Sequence, residues 1–273
     1  MGIINMHTHS LYSHDCGETV ENQCAAALSG GFAGLAVTDH CDCEYSSFSQ
    51  TFSGTVGSFI NANELKTAYD GRLVLLAGVE LGDALFDPDF AKKVLSACEW
   101  DVVLGSVHAV RFENYDMPFS CIDFTDFSDE MIRSYLAAYF RDMTEMLETT
   151  DFDILSHLTV PLRYIVKKFG KSVDITEYHP AIENILKLTA ESGRTLEINT
   201  SDYSADDPFF MPDSDIIDMY LSLGGRDFTI GSDAHTAANF SKGLYEAAEM
   251  LKQKGVNELV YYKNREKLYY SFQ

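Results

Sequence analysis

Seven short apolar runs punctuate this chain, starting near residues 3, 35, 73, 102, 152, 196 and 228, and six of them stop at a histidine, aspartate or glutamate. The first leads into His7-Thr8-His9. Residues two apart in an extended chain share a face, so His7 and His9 aim both imidazoles at one point where the strand ends. Later runs lead into Asp39-His40, Glu80, His108, His157 and Asp233-Ala234-His235. Helical stretches lie between the runs. The clearest is 129–149, with apolar residues at 132, 136, 139, 140, 143 and 147. Others are expected over 19–29, 59–69, 88–98, 180–192, 213–223 and 241–254. A long loop is expected over 41–58, and a terminal hairpin over 259–272.

Strands alternating with helices imply a parallel sheet, and unbroken apolar strands suit a sheet covered on both faces. Seven such units fit a closed or nearly closed α/β barrel, TIM-like in architecture. No stretch of linker composition divides the 273 residues, so one domain over 1–273 is expected. In such a barrel all strand C-termini meet at one rim. Seven of the eight histidines fall at or next to that rim; only His179, at a helix start, reads as a surface residue. The candidate ligands are His7, His9, Asp15, His40, Glu80, His108, His157, Asp233 and His235. One zinc ion takes three or four protein ligands. Nine suffice for two divalent ions, and for three if Glu80 and Asp233 bridge. Mixed imidazole and carboxylate ligands accept Zn, Mn or Fe. Bound ions would hold an anionic substrate and activate a water near neutral pH. His14 adjoins Asp15, and which of the two binds stays open.

Lys and Arg number 20 against 42 Asp and Glu, a formal net charge of −22. Such a surface repels nucleic acid and anionic membranes. It also repels phosphorylated small molecules, so a site for one needs local positive charge. No apolar stretch is long enough to span a bilayer, and the opening residues read as strand, not as a signal peptide. The six cysteines show no repeated spacing and read as reduced thiols, so a cytoplasmic location is expected.

The stretches His7-Thr8-His9, Thr38-Asp39-His40, Gly78-Val79-Glu80, Gly105-Ser106-Val107-His108, Ser156-His157, Glu197-Ile198-Asn199-Thr200-Ser201 and Gly231-Ser232-Asp233-Ala234-His235 resemble the PHP (polymerase and histidinol phosphatase) family, specifically its histidinol-phosphatase branch. The resemblance spans nearly the whole chain. It implies a distorted (β/α)7 barrel with a trinuclear site. His7, His9, Glu80 and Asp233 would hold one ion, Glu80, His108 and His157 a second, and Asp15, His40 and His235 a third. The implied reaction is hydrolysis of a small phosphomonoester, L-histidinol phosphate to L-histidinol and phosphate in histidine biosynthesis. The alternative is a PHP phosphoesterase acting on another sugar or alcohol phosphate, a phosphotyrosine protein or a nucleotide.

One segment departs from the branch. Where its members carry Gly and a basic residue after Asn-Thr-Ser, this chain continues Asp202-Tyr203-Ser204-Ala205-Asp206-Asp207. Arg163 matches a basic position of the branch and is the candidate phosphate clamp, with Arg111 a second; Arg194 reads as a helix cap. Asp233 and His235 are candidates for proton transfer to the leaving group. Tyr45, Phe48, Phe112, Tyr115, Tyr203, Phe209 and Phe210, on three rim loops, are candidates for holding the organic part. An amidohydrolase barrel, a PHP exonuclease and a non-catalytic metal-binding module are the rivals. Glu80 and His108 where the first would have a carboxylated lysine, the net charge, and the full ligand set argue against them in turn.

Overall fold

The computed structural model describes residues 2–43 and 48–272. Its main sheet contains β1 (Ile4–Thr8), β2 (Gly34–Val37), β3 (His40–Asp42), β4 (Val74–Gly82), β5 (Val102–Ser106), β6 (Ile154–Leu155), β7 (Thr195–Asn199) and β8 (Phe228–Gly231). The strands pair in parallel in the order β2-β1-β8-β7-β6-β5-β4, and β2 pairs back with β4, which closes the sheet. β2 and β3 are two pieces of one stave. Both lie on β4 in a single register, Gly34 opposite Val74 and His40 opposite Glu80. The result is the expected seven-stave α/β barrel, with His40 opening β3 and not ending β2. The break falls at Asp39, whose buried carboxylate accepts hydrogen bonds from Ser10 N, Ser13 Oγ and Ser58 Oγ at 2.5–2.7 Å.

Seven α-helices among the described residues surround the barrel: α1 (Val20–Ser29), α2 (Phe48–Tyr69), α3 (Pro88–Leu95), α4 (Asp129–Thr149), α5 (His179–Glu191), α6 (Ser214–Ser222) and α7 (Leu244–Gln253). Thr19, Asp87, Ser128 and Asp213 cap α1, α3, α4 and α6, each accepting a bond from a first-turn amide. Arg194 closes the other end of α4, donating to Leu147 O and Thr150 O, as its helix-cap reading anticipated. Strand side chains are buried on both faces, as a helix-covered parallel sheet requires.

Two elements differ from expectation. Residues 48–58 are not loop but the first half of α2. Their Ser, Thr and Gly content gives little helical period, and tertiary contacts decide instead. Ser58 reaches Asp39, and a Cβ on Gly57 would stand 2.8 Å from the Tyr12 ring. The segment after His157 is not a plain loop either: Arg163–Lys168 forms a π-helix. The terminal hairpin forms as expected from β9 (Glu258–Lys263) and β10 (Glu266–Ser271). It covers the end of the barrel opposite the rim. Tyr270 Oη accepts from Ile4 N at 3.0 Å, and Tyr262 Oη meets Thr195 Oγ1 at 2.6 Å.

Candidate metal centre

The strand ends bring the nine candidate ligands together at the rim. Glu80, fully buried on β4, is at the middle. Its Oε2 stands 3.2 Å from His7 Nε2, 3.5 Å from His9 Nε2 and 2.8 Å from His40 Nδ1. Its Oε1 stands 3.1 Å from His108 Nε2 and 2.9 Å from His157 Nε2. Asp233 Oδ1 lies 3.0 Å from His9 Nε2 and 3.6 Å from His235 Nδ1. Asp15 Oδ2 lies 3.2 Å from His235 Nε2 and 3.8 Å from His40 Nε2. His14 lines the same cavity, its ring 5.4 Å from that of His40. Two of these residues hold positive φ, 21° at His157 and 52° at Asp233. Left-handed backbone is uncommon outside glycine and collects at functional sites.

A second layer orients the rings. His7 Nδ1 donates to Glu197 at 2.8 Å, His108 Nδ1 to Asp42 at 2.8 Å, His9 Nδ1 to Ser13 Oγ at 3.0 Å and His235 Nδ1 to the Asp233 carbonyl at 2.9 Å. With Nδ1 engaged as the donor, each ring turns its Nε2 lone pair inward. His7 Nε2, His9 Nε2, His40 Nδ1, Glu80 Oε2 and His235 Nε2 are buried without an aligned hydrogen bond, although a neighbour is close in every case. Buried polar atoms ordinarily have partners. Five such atoms gathered at one rim fit ligands for more than one cation. Three-residue groups able to hold one include His9-His40-His235, His7-His9-Asp233 and His40-Glu80-His108.

The electrostatics run the same way. Burial opposes charge on His7, yet Glu197, Glu80 and Asp233 outweigh it and hold the imidazole well above its usual range. His40 is raised to about 9, since Glu80 and Asp42 overcome its burial. His108 is raised by the same pair against burial. His9 moves down instead, through burial and the neighbouring His40 and His235 rings. Glu80 and Asp233, despite burial, are held well below the usual carboxylate range by their histidines.

A cavity of about 350 Å³ opens over the cluster. Its outer wall carries Arg163, Tyr164, Phe119, Ser201 and Asn239. Arg163, the first residue of the π-helix, lines the cavity, its Nη1 donating to Ser201 Oγ at 3.3 Å. Arg111 is not there: it is bound to Asp142 and Glu145 on α4. The expected aromatic contacts also change. Phe112 and Tyr115 pack against Tyr135 and Phe127, and Tyr203 stacks on Phe210 at 5.2 Å. The side chains of Tyr45 and Phe48 lie outside the described residues. Phe119 and Tyr164 form the aromatic wall instead. Sequence reasoning missed them, and missed Asp42 and Glu197 as supports. The available signals were the i+2 spacing of Asp42 from His40 and a glutamate inside the buried strand β7.

A PHP domain family model matches residues 5–201. The probable histidinol-phosphatase of Thermotoga maritima is 29% identical over 252 residues, covering 92% of each chain. The histidinol-phosphatase of Lactococcus lactis is 26% identical over 267 residues, 94% of this chain and 93% of its own. A crystal structure of histidinol phosphate phosphatase from Lactococcus lactis, complexed with zinc, L-histidinol and phosphate, superposes with a TM-score of 0.76 at 22% identity, covering 97% and 98% of the two chains.

Proposed function

This chain belongs to the PHP domain family, and from that premise we propose that it hydrolyses L-histidinol phosphate to L-histidinol and phosphate. The observation that carries the reading is Glu80, each of whose oxygens faces a different set of imidazoles beneath a cavity of substrate size. Relatives named histidinol-phosphatase along nearly the full chain support the same reaction. We read residues 1–273 as one hydrolase domain holding two to three divalent ions, zinc, manganese or iron. His7, His9, Glu80 and Asp233 would hold one, Glu80, His108 and His157 another, and Asp15, His40 and His235 a third. Bound ions supply Lewis acidity, which neutralises phosphate charge and makes water a nucleophile near neutral pH.

The chain's own residues do the rest. Arg163 grips phosphate oxygens, since a guanidinium offers two parallel donors. Phe119 and Tyr164 exclude water and receive the flat organic part. Asp233, held ionised at the floor of the cavity beside His235, takes up the proton of the attacking water and relays it to the leaving alkoxide. A related reading, another small phosphomonoester as substrate, is favoured by the acidic segment after Ser201. Asp202 there is bound to Lys167 at 2.6 Å and lies 3.8 Å from Arg163.

The test is hydrolysis of histidinol phosphate and a panel of phosphomonoesters, before and after chelation. Turnover of histidinol phosphate that vanishes with chelator and returns with added zinc, manganese or iron is expected. Undiminished turnover after chelation overturns the metal reading. Preference for another ester replaces the substrate.

A further inference from the structure

We propose that Glu197 is a positioning residue that couples two parts of the metal centre from behind. The inference rests on the reading of the rim as a metal centre. Glu197 is in the middle of β7 and is completely buried. Its Oε1 accepts from His7 Nδ1 at 2.8 Å, and its Oε2 accepts from the backbone N–H of His157, also at 2.8 Å. Asn199 Nδ2 donates to Oε2 at 3.3 Å. One carboxylate thus holds a ring from β1 and the backbone of His157, two residues past β6, where φ is positive and external support is needed. His7 and His157 face different oxygens of Glu80. The same two histidines are therefore spanned twice, by Glu80 from the cavity and by Glu197 from the barrel interior.

The neighbouring strand is built around this carboxylate. A Cβ on Gly231 of β8 would stand 2.2 Å from Glu197 Oε1 and 2.5 Å from His7 Cβ. Only a residue without a side chain lets Glu197 reach His7. Asp42 is the contrasting case, since it hydrogen-bonds one ring, His108 at 2.8 Å, while His40 Nδ1 stands 3.9 Å from its other oxygen. Loss of Glu197 disturbs the ions that depend on His7 and on His157 together. It leaves the Asp15, His40 and His235 group intact.

The experiment measures metal binding, not turnover. Chelator-stripped wild type, Glu197→Gln, Gly231→Ala and Asp42→Asn are titrated with Co(II) at buffered free metal. Bound ions per chain are counted by elemental analysis, and the visible absorption of Co(II) reports ligand geometry. An amide at 197 presents an N–H where an acceptor is required. Glu197→Gln is expected to weaken binding about 10- to 100-fold for all ions but one, a typical loss for an outer support. Gly231→Ala should reproduce that pattern with the carboxylate still present, and it serves if Glu197→Gln does not fold. Asp42→Asn should weaken fewer ions. Wild-type stoichiometry, affinity and absorption in folded Glu197→Gln or Gly231→Ala overturn the coupling. A wild type that binds no Co(II) removes the metal centre itself, a different and distinguishable failure.

Discussion

Four rim imidazoles keep Nδ1 for a structural acceptor and leave Nε2 for the centre. That division has a proton consequence. In the ion-free protein His7, His40 and His108 are held above their ordinary range by buried carboxylates, His40 to about 9. At pH 7.5 His40 carries a proton that a cation must displace, because only a neutral imidazole can be a ligand, and the upward shifts of His7 and His108 act in the same direction. Metal uptake should therefore release protons, and affinity should fall as pH falls from about 9. Titration calorimetry in buffers of different ionisation enthalpy measures the release; no buffer dependence would contradict it. The choice between His14 and Asp15 is also testable. The Asp15 carboxylate lies beside both His235 and His40, so Asp15→Asn should lose an ion that His14→Ala retains, read by metal content after dialysis.

The π-helix Arg163–Lys168 brings a guanidinium to the wall of the cavity above the ligand cluster. Hydrogen bonds to charged groups contribute about 1.5–3 kcal/mol. Arg163→Ala should lower kcat/KM roughly 10- to 100-fold, and Arg163→Lys should recover only part of that, having lost the paired donors. The terminal hairpin makes a separate prediction. Tyr270→Phe strips the partner from the buried Ile4 amide and should cost about 1–3 kcal/mol in denaturant unfolding. Which elements were legible in the sequence follows from how each is stabilised. The strands and their terminal ligands stood out because both faces of a parallel strand are apolar and the rim gathers the polar ends. The first half of α2 did not, since Ser58 and Gly57 serve neighbours instead of an apolar stripe. The π-helix did not, because its widened turn leaves no simple period. Glu197 was hidden by the same logic that revealed His7: on a buried strand a ligand and its support look alike.

A molecule with net charge −22 discourages phosphorylated ligands everywhere except where cations collect. Arg163, Lys167 and Lys168 border a recess adjoining the cavity. Lys167 is tied to Asp202 and Asp207, whereas Lys168 makes no ion pair among the described residues. Approach of an anion should thus be salt-sensitive. Lys168→Glu should lower kcat/KM several-fold at low ionic strength with kcat unchanged. The deficit should disappear near 1 M salt, where the Debye length is about 3 Å. Lys252→Glu, in the last turn of α7 and so at the far end of the barrel, changes net charge equally and should do neither. The ring of staves closes where β1 meets β8, and this seam joins segments made far apart in time. During synthesis the His7-Thr8-His9 strand leaves the ribosome while Asp233 and His235 are still unmade. The nascent polypeptide must wait with seven of its nine candidate ligands already made, and only the late arrival of β8 brings the last two and completes the rim.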